Sequence, residues 1–252
     1  MKDIYDFFEL PKGCYVNSRM PKNIFNNNPE FELRKEEKSI LKDEINSIYF
    51  EYSLKPSLLN IPSYEDKDVR YEEIEIFKVN INNENKYVKV CELLQKYIQY
   101  PMLIIVEHNN FIKINLAVKK INKIDRNKLM IEEMIYTEWI DKDNLKSKEI
   151  SFFNSLSISN CNTNNLFTIY KDYINCVKNF ITSKYSNEFK IKSIEEVSNN
   201  SEVLDKINNL ENEVDILKKN IKKESNMGTK VELNVKIKKI EKQIASLKNT
   251  LS

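Results

Sequence analysis

Two heptad seams near the C-terminus constrain this chain most. Val203, Ile207, Leu210, Val214, Leu217 and Ile221 recur at steps of four and three, and Leu233, Ile237, Ile240, Ile244, Leu247 and Leu251 recur at the same steps. Such a pattern lays one apolar stripe along a helix and demands a second helix to cover it. The seams are out of step, because counting on from Ile221 at heptad spacing reaches Glu224, Gly228, Val231 and Val235. A continuous helix with a supercoil discontinuity would absorb the break, but a hairpin of two antiparallel helices explains it better, with Gly228 as the pivot. Each arm of about 20 residues is roughly 30 Å long. The expected domains are therefore residues 1–200 and a hairpin over 201–252.

Upstream, the apolar period changes. Leu33, Ile40, Leu41, Ile45, Ile48, Tyr49 and Tyr52 fall at helical steps, which predicts an amphipathic helix over Glu32 to Tyr52. Ile74, Ile76, Val79 and Ile81 alternate with polar neighbours as a strand does, with a phase slip at Phe77 that marks a bulge. Val90 to Ile98 reads as a short helix stopped by Pro101. Met102 to Val106 is a continuous apolar run, and Phe111 to Val118 alternates, with Ile112, Ile114, Leu116 and Val118 on one face and Lys113 and Asn115 on the other. Asn109-Asn110 between them suits a tight hairpin, since Asn tolerates positive φ. Leu129 to Trp139 supplies a third antiparallel strand. Ser147 to Asn165 reads as a polar loop, and Leu166 to Ile181 as a helix that covers the sheet. The expected fold class is α+β: an antiparallel meander packed with helices, then a C-terminal coiled-coil hairpin.

Gly13 and Gly228 are the only glycines, which excludes phosphate-binding loops built on clustered glycine. Cys14, Cys91, Cys161 and Cys176 are scattered and His108 is the single histidine, so zinc spacing is missing and free thiols in a reducing cytosol are expected. No run approaches the length of a membrane span, and no export signal is visible; a cytoplasmic protein without membrane contact, cofactor or metal is the expectation.

Candidate chemistry is sparse. Glu84-Asn85-Lys86 downstream of Asp68 imitates the Asp and Glu-x-Lys magnesium site of restriction-type nucleases, and Glu36-Glu37-Lys38 is a second match. A divergent metal-dependent nuclease is thus the alternative reading, and it requires Asp68, Glu75, Glu84, Lys86 and Glu107 to converge. Glu107-His108 could form an acid–base pair, although no nucleophile accompanies it. Trp139 at the end of a strand reads as a core or edge anchor.

Charge is more informative. The chain has 40 Lys and Arg against 38 Asp and Glu, yet residues 201–252 hold 11 Lys against 8 acidic residues. Lys218, Lys219, Lys222, Lys223, Lys230, Lys236 and Lys239 cluster towards the hairpin tip and are candidates for phosphate contact, with a solvated helix face as the plainer reading. Lys12, Arg19 and Lys22 form a second basic set.

Several stretches are familiar as motifs: Leu10-Pro11-Lys12, Val16-Asn17-Ser18-Arg19-Met20-Pro21-Lys22, Leu59-Asn60-Ile61-Pro62, Tyr100-Pro101-Met102-Leu103, Thr137-Glu138-Trp139, Lys222-Lys223-Glu224 and Lys230-Val231-Glu232-Leu233-Asn234. In this order they resemble the bacterial domain-of-unknown-function family 4391 over nearly the whole length. Gln99-Tyr100-Pro101 stands where that family often has Pro-Tyr-Pro, and Gly228 interrupts a tip that usually lacks glycine. The resemblance carries no established activity. It implies an accessory role near DNA, because genes of this family often lie beside helicases and DNA methyltransferases of restriction-modification and phage-defence loci. The expectation is a non-enzymatic accessory or adaptor subunit whose partner is such a helicase or methyltransferase, with possible DNA contact and, through the heptads, a possible homodimer.

Overall fold

Period-two patterning in the middle of the chain builds strands, and it does so over more of the sequence than the pattern alone reveals. The computed structural model describes residues 3–28, 31–126, 128–185, 188–191 and 194–251. Its strands are β1 (Tyr15–Met20), β2 (Ile45–Leu54), β3 (Tyr64–Glu65), β4 (Arg70–Tyr71), β5 (Ile74–Ile81), β6 (Met102–His108), β7 (Phe111–Ile121), β8 (Leu129–Tyr136) and β9 (Ile140–Asp141). Its helices are α1 (Asn23–Asn27), α2 (Lys35–Ser39), α3 (Pro56–Leu59), α4 (Tyr87–Tyr97), α5 (Ser147–Ser155), α6 (Leu166–Thr182), α7 (Ile194–Lys223) and α8 (Met227–Leu251). The class is mixed α+β. The chain divides into two compact units, Met1–Val177 and Lys178–Ser252; Asn200, the last residue of the expected first domain, lies within α7.

In the first unit, seven strands among the described residues form one sheet in the order β1-β2-β5-β6-β7-β8, with β9 also on β7. All pairs are antiparallel except β5 and β6, which α4 connects. The expected meander from Met102 to Tyr136 is present, and Asn109 takes φ 53° in its first turn.

Three expectations need correction here. The helix predicted over Glu32 to Tyr52 ends by Glu44, where a short helix and a wide helical turn (Ile40–Glu44) give way to β2. Ile45 pairs with Ile81 but Ser47 pairs with Asn80, so Asn46 is an extra residue that puts Ile45 and Ile48 on one face three positions apart. That spacing imitates a helix. The bulge inferred at Phe77 belongs to the partner strand, since Phe50 faces Phe77 and Tyr52 faces Ile76, leaving Glu51 over. The predicted loop after Ser147 contains α5, which buries Phe152 and Phe153 completely; two aromatic anchors outweigh the polar composition around them.

The sheet is covered on both faces. Phe77, Val79, Ile81, Met102, Ile104 and Val106 pack with Val90, Cys91, Leu93 and Leu94 of α4. Residues of the opposite parity, including Ile74, Ile76, Leu103, Ile105, Ile112, Ile114 and Leu116, are also fully buried. On that side α6 reaches the sheet, where the Tyr170 hydroxyl lies 2.9 Å from the carbonyl oxygens of Met102 and Ala117.

The second unit is helical. All twelve expected seam residues, Val203 to Ile221 and Leu233 to Leu251, belong to one apolar cluster of α7 and α8. The link between the helices is Glu224–Asn226, so Gly228 is not the pivot. It lies in the first turn of α8, where Asn226 Oδ1 accepts the Thr229 N–H at 3.2 Å, and a Cβ on Gly228 would sit 3.2 Å from that same oxygen. The glycine leaves room for a helix cap. No helix among the described residues is long and apolar enough to cross a membrane.

Candidate functional site

The basic residues divide by what their charges meet. In the second unit Lys218 pairs with Glu241 at 3.4 Å and Lys236 with Glu213 at 2.9 Å. Lys219, Lys222, Lys223 and Lys239 are exposed and have no ion pair among the described residues, while Lys230 is half-buried. Glu224, beside this group, accepts the N–H groups of Ser225 and Asn226, both at 2.8 Å, and these bonds hold its carboxyl below the usual range. In the first unit Lys12 and Arg19 are exposed. Lys22 is half-buried, and its ammonium donates to the carbonyls of Lys42, at 3.3 Å, and Ile45. It closes the end of the Ile40–Glu44 turn, which leaves it poorly placed for phosphate.

The residues required for a nuclease centre do not come together. Asp68 and Glu84 are exposed, Glu75 lies on the α4 face of the sheet, and Glu107, paired with Asn80, lies on the other. No group of three or more His, Cys, Asp or Glu among the described residues could share a metal ion. Glu107 instead pairs with Lys142 at 3.4 Å, and His108 Nδ1 lies 3.1 Å from the Ile81 carbonyl oxygen. Lys78 of β5 bonds Glu51, the bulged residue of β2, at 2.7 Å, with the Tyr49 ring 4.9 Å from its ammonium.

A buried polar row, absent from the sequence-derived candidates, runs along β7. Lys113, Asn115 and Lys119 share the face that α4 covers, and each is satisfied differently. The Lys113 ammonium, on a residue 5% exposed, lies 3.8 Å from the Tyr87 ring centre and 5.2 Å from that of Trp139. Asn115 accepts from Gln95 at 3.0 Å and donates to the Ile135 carbonyl at 3.0 Å. Lys119, 2% exposed, donates to the carbonyls of Ile98 and Tyr100, both at 2.8 Å. Burial pushes its ammonium down to about 7 against the opposing pull of Glu75. Glu75 is itself 8% exposed; burial, and then the Glu73 carboxylate, push it up to about 8. Glu73 is occupied by the Ser53 hydroxyl at 2.5 Å and by Lys55 at 3.2 Å. The one sequence signal for this row was the alternation of β7, which sets Lys113 and Asn115 on the face opposite Ile112 and Ile114; Tyr87 and Gln95 of α4 meet that polar face.

A second buried carboxylate, Glu37, closes a network between α2 and α4. Its oxygens meet Arg34 at 3.1 Å, Lys96 at 2.8 Å and the Tyr97 hydroxyl at 3.0 Å. Burial alone would raise this carboxyl, but these bonds and the Arg34 N–H outweigh it and hold it at about 2.

A family model, Domain of unknown function (DUF4391), matches residues 8–244. The chain belongs to this family. No curated protein and no solved structure is matched. In this DUF4391 protein the stretches that carry the resemblance fall at joints of the fold. Asn17 and Asn60 take φ 44° and 56°, Pro62 accepts the Leu166 N–H at 3.0 Å, and Thr137 Oγ1 accepts the Ile114 N–H at 2.9 Å. Tyr100-Pro101-Met102 supplies one Lys119 acceptor and the carbonyl that receives the Glu75 N–H at 3.0 Å. Gln99 accepts the Leu129 N–H at 2.7 Å through Oε1.

Proposed function

We propose that this protein is a non-enzymatic accessory or adaptor subunit of a DNA-processing or phage-defence complex, joining a helicase or DNA methyltransferase encoded beside it and touching the DNA backbone through its C-terminal unit. In this reading α7 and α8 form an antiparallel coiled-coil hairpin. With Ile207, Val214, Ile237 and Ile244 at heptad position a, the Lys218–Glu241 and Lys248–Glu211 pairs fall e to e and Glu213–Lys236 falls g to g, which supports that orientation. The observation that carries the proposal is that Lys219, Lys222, Lys223 and Lys239 are exposed and have no ion pair among the described residues. Such charges release counterions from a duplex without reading its sequence.

The test is fluorescence anisotropy of a labelled duplex with the full chain at 50 and 200 mM salt. Four phosphate contacts predict a loss of affinity of about a hundredfold across that range. The variant Lys219→Glu, Lys222→Glu, Lys223→Glu should lose binding at the lower salt. Absence of salt-sensitive binding, or a triple variant that binds like the wild type, overturns the DNA contact; failure to co-purify with the neighbouring gene products overturns the adaptor role.

A further inference from the structure

Helix α8 carries two apolar rows, and its packing on α7 uses one of them. The seam from Leu233 to Leu251 belongs to the shared apolar cluster. Met227, Val231 and Val235 do not, and they are 75%, 55% and 63% exposed. They follow one another at four-residue steps, and Lys238 and Lys242 extend the row at steps of three and four. At 3.6 residues per turn the five positions fall within about 80° of arc, on the side of α8 turned about 160° from the middle of its seam. Val231 and Val235 are positions that the heptad of α7 would reach if it ran on, so they are the apolar residues that the change of register leaves outside. Single exposed apolar side chains are ordinary, but three in one row of one helix make a surface. Charge gives that surface its chemistry. No carboxylate of α8 stands in the arc; Glu232 and Glu241 flank it, and Glu241 is paired with Lys218. Lys238 and Lys242 are exposed and have no ion pair among the described residues.

We propose that Met227, Val231, Val235, Lys238 and Lys242 form a docking row for an amphipathic helix of the partner protein, whose apolar stripe covers the first three residues and whose acidic side chains meet the two lysines. Side chains four apart make the ridge that one helix packs into the groove of another. The row rises about 22 Å, which a partner segment of about 16 residues matches. A second copy of this chain fits less well. Two copies paired antiparallel about Val231 would cover the stripe, but they would set Lys238 and Lys242 beyond the start of each other's α8 and bring the two lysine-rich tips together. The inference rests on the adaptor reading and names the chemistry of that partner. Lys219, Lys222 and Lys223, assigned above to the DNA backbone, belong to α7, so the two contacts can be broken separately.

The test uses the full chain and a fluorescein-labelled helical peptide of about 16 residues, with Leu along one face at steps of four and three and Glu on both flanks. A peptide with Lys in place of each Glu is the control. Anisotropy should show saturable binding of the Glu peptide that weakens as salt rises, and binding of the Lys peptide at least about tenfold weaker. Val231→Gln with Val235→Gln should weaken binding of the Glu peptide at least about tenfold and leave the helical circular dichroism unchanged, because both side chains are exposed. Equal binding of the two peptides, or a double variant that binds like the wild type, overturns the docking row. So does a wild-type dimer in light scattering that the double variant dissolves, which gives the row to a second copy, or binding to phosphatidylserine vesicles that the double variant loses, which gives it to a lipid surface. The adaptor reading is judged apart from this. A neighbouring gene product that co-purifies equally with wild type and double variant keeps that reading and overturns the row, whereas co-purification with neither overturns that reading and leaves the peptide to decide the row.

Discussion

The two units handle charge in opposite ways. In Lys178–Ser252 the charges ride outside an apolar seam and meet each other across its edges, with Lys218 and Glu241 each about half exposed. In Met1–Val177 the sheet is covered on both faces, so Glu75, Lys113 and Lys119 of β5 and β7 are enclosed: carbonyls hold Lys119, aromatic rings face Lys113, and Glu75 Oε2 has no hydrogen-bond partner. A two-helix packing offers every charged residue an outer surface; a three-layer packing does not. The same residue types therefore carry different energetic weight in the two units.

The comparison breaks most visibly at Glu37. Glu37→Ala leaves the buried Tyr97 hydroxyl without its carboxylate acceptor, while the Arg34 and Lys96 charges that also lose it stay partly in water, and the expected loss is about 2 kcal/mol of unfolding free energy in urea. The sign with pH follows from a folded value of about 2, below the ordinary 4.5. The advantage of the wild type is full above about pH 4.5 and declines as pH falls through about 2. A smaller effect is expected at the aromatic enclosure. Lys113→Met keeps the volume and removes the cation, so stability should change by less than about 2 kcal/mol, while the emission of Trp139, the one tryptophan, should shift. In the helical unit Glu241→Ala should cost only about 0.2–1 kcal/mol, and less at high salt. A loss there as large as that of Glu37→Ala would erase the distinction between the units.

Much of the architecture was legible from residues alone. Strict alternation over Phe111 to Val118 and the Asn109 turn define β6 and β7, and Pro101 stops α4 in time for β6. The buried row was not legible, because alternation states that two faces differ and not that the polar one is exposed. β2 was hidden for a related reason: the extra residues Asn46 and Glu51 turn a period of two into steps of three. The nuclease set failed on parity, since Glu75 and Glu107 lie on strands whose register puts them on opposite faces of one sheet.

The sequence by itself determined the family, the mixed α+β class and the apolar seam of the last two helices. It could do so because local periodicity dictates which side chains share a face. Only the tertiary structure decided what covers each face. That choice buries Lys119 and Glu75 beside the Ile98–Met102 connection, and it leaves Lys219, Lys222, Lys223 and Lys239 in water. Burial in a protein interior depends on a second layer contributed by distant sequence, and the free energy of a charge changes far more with that layer than with its neighbours along the chain.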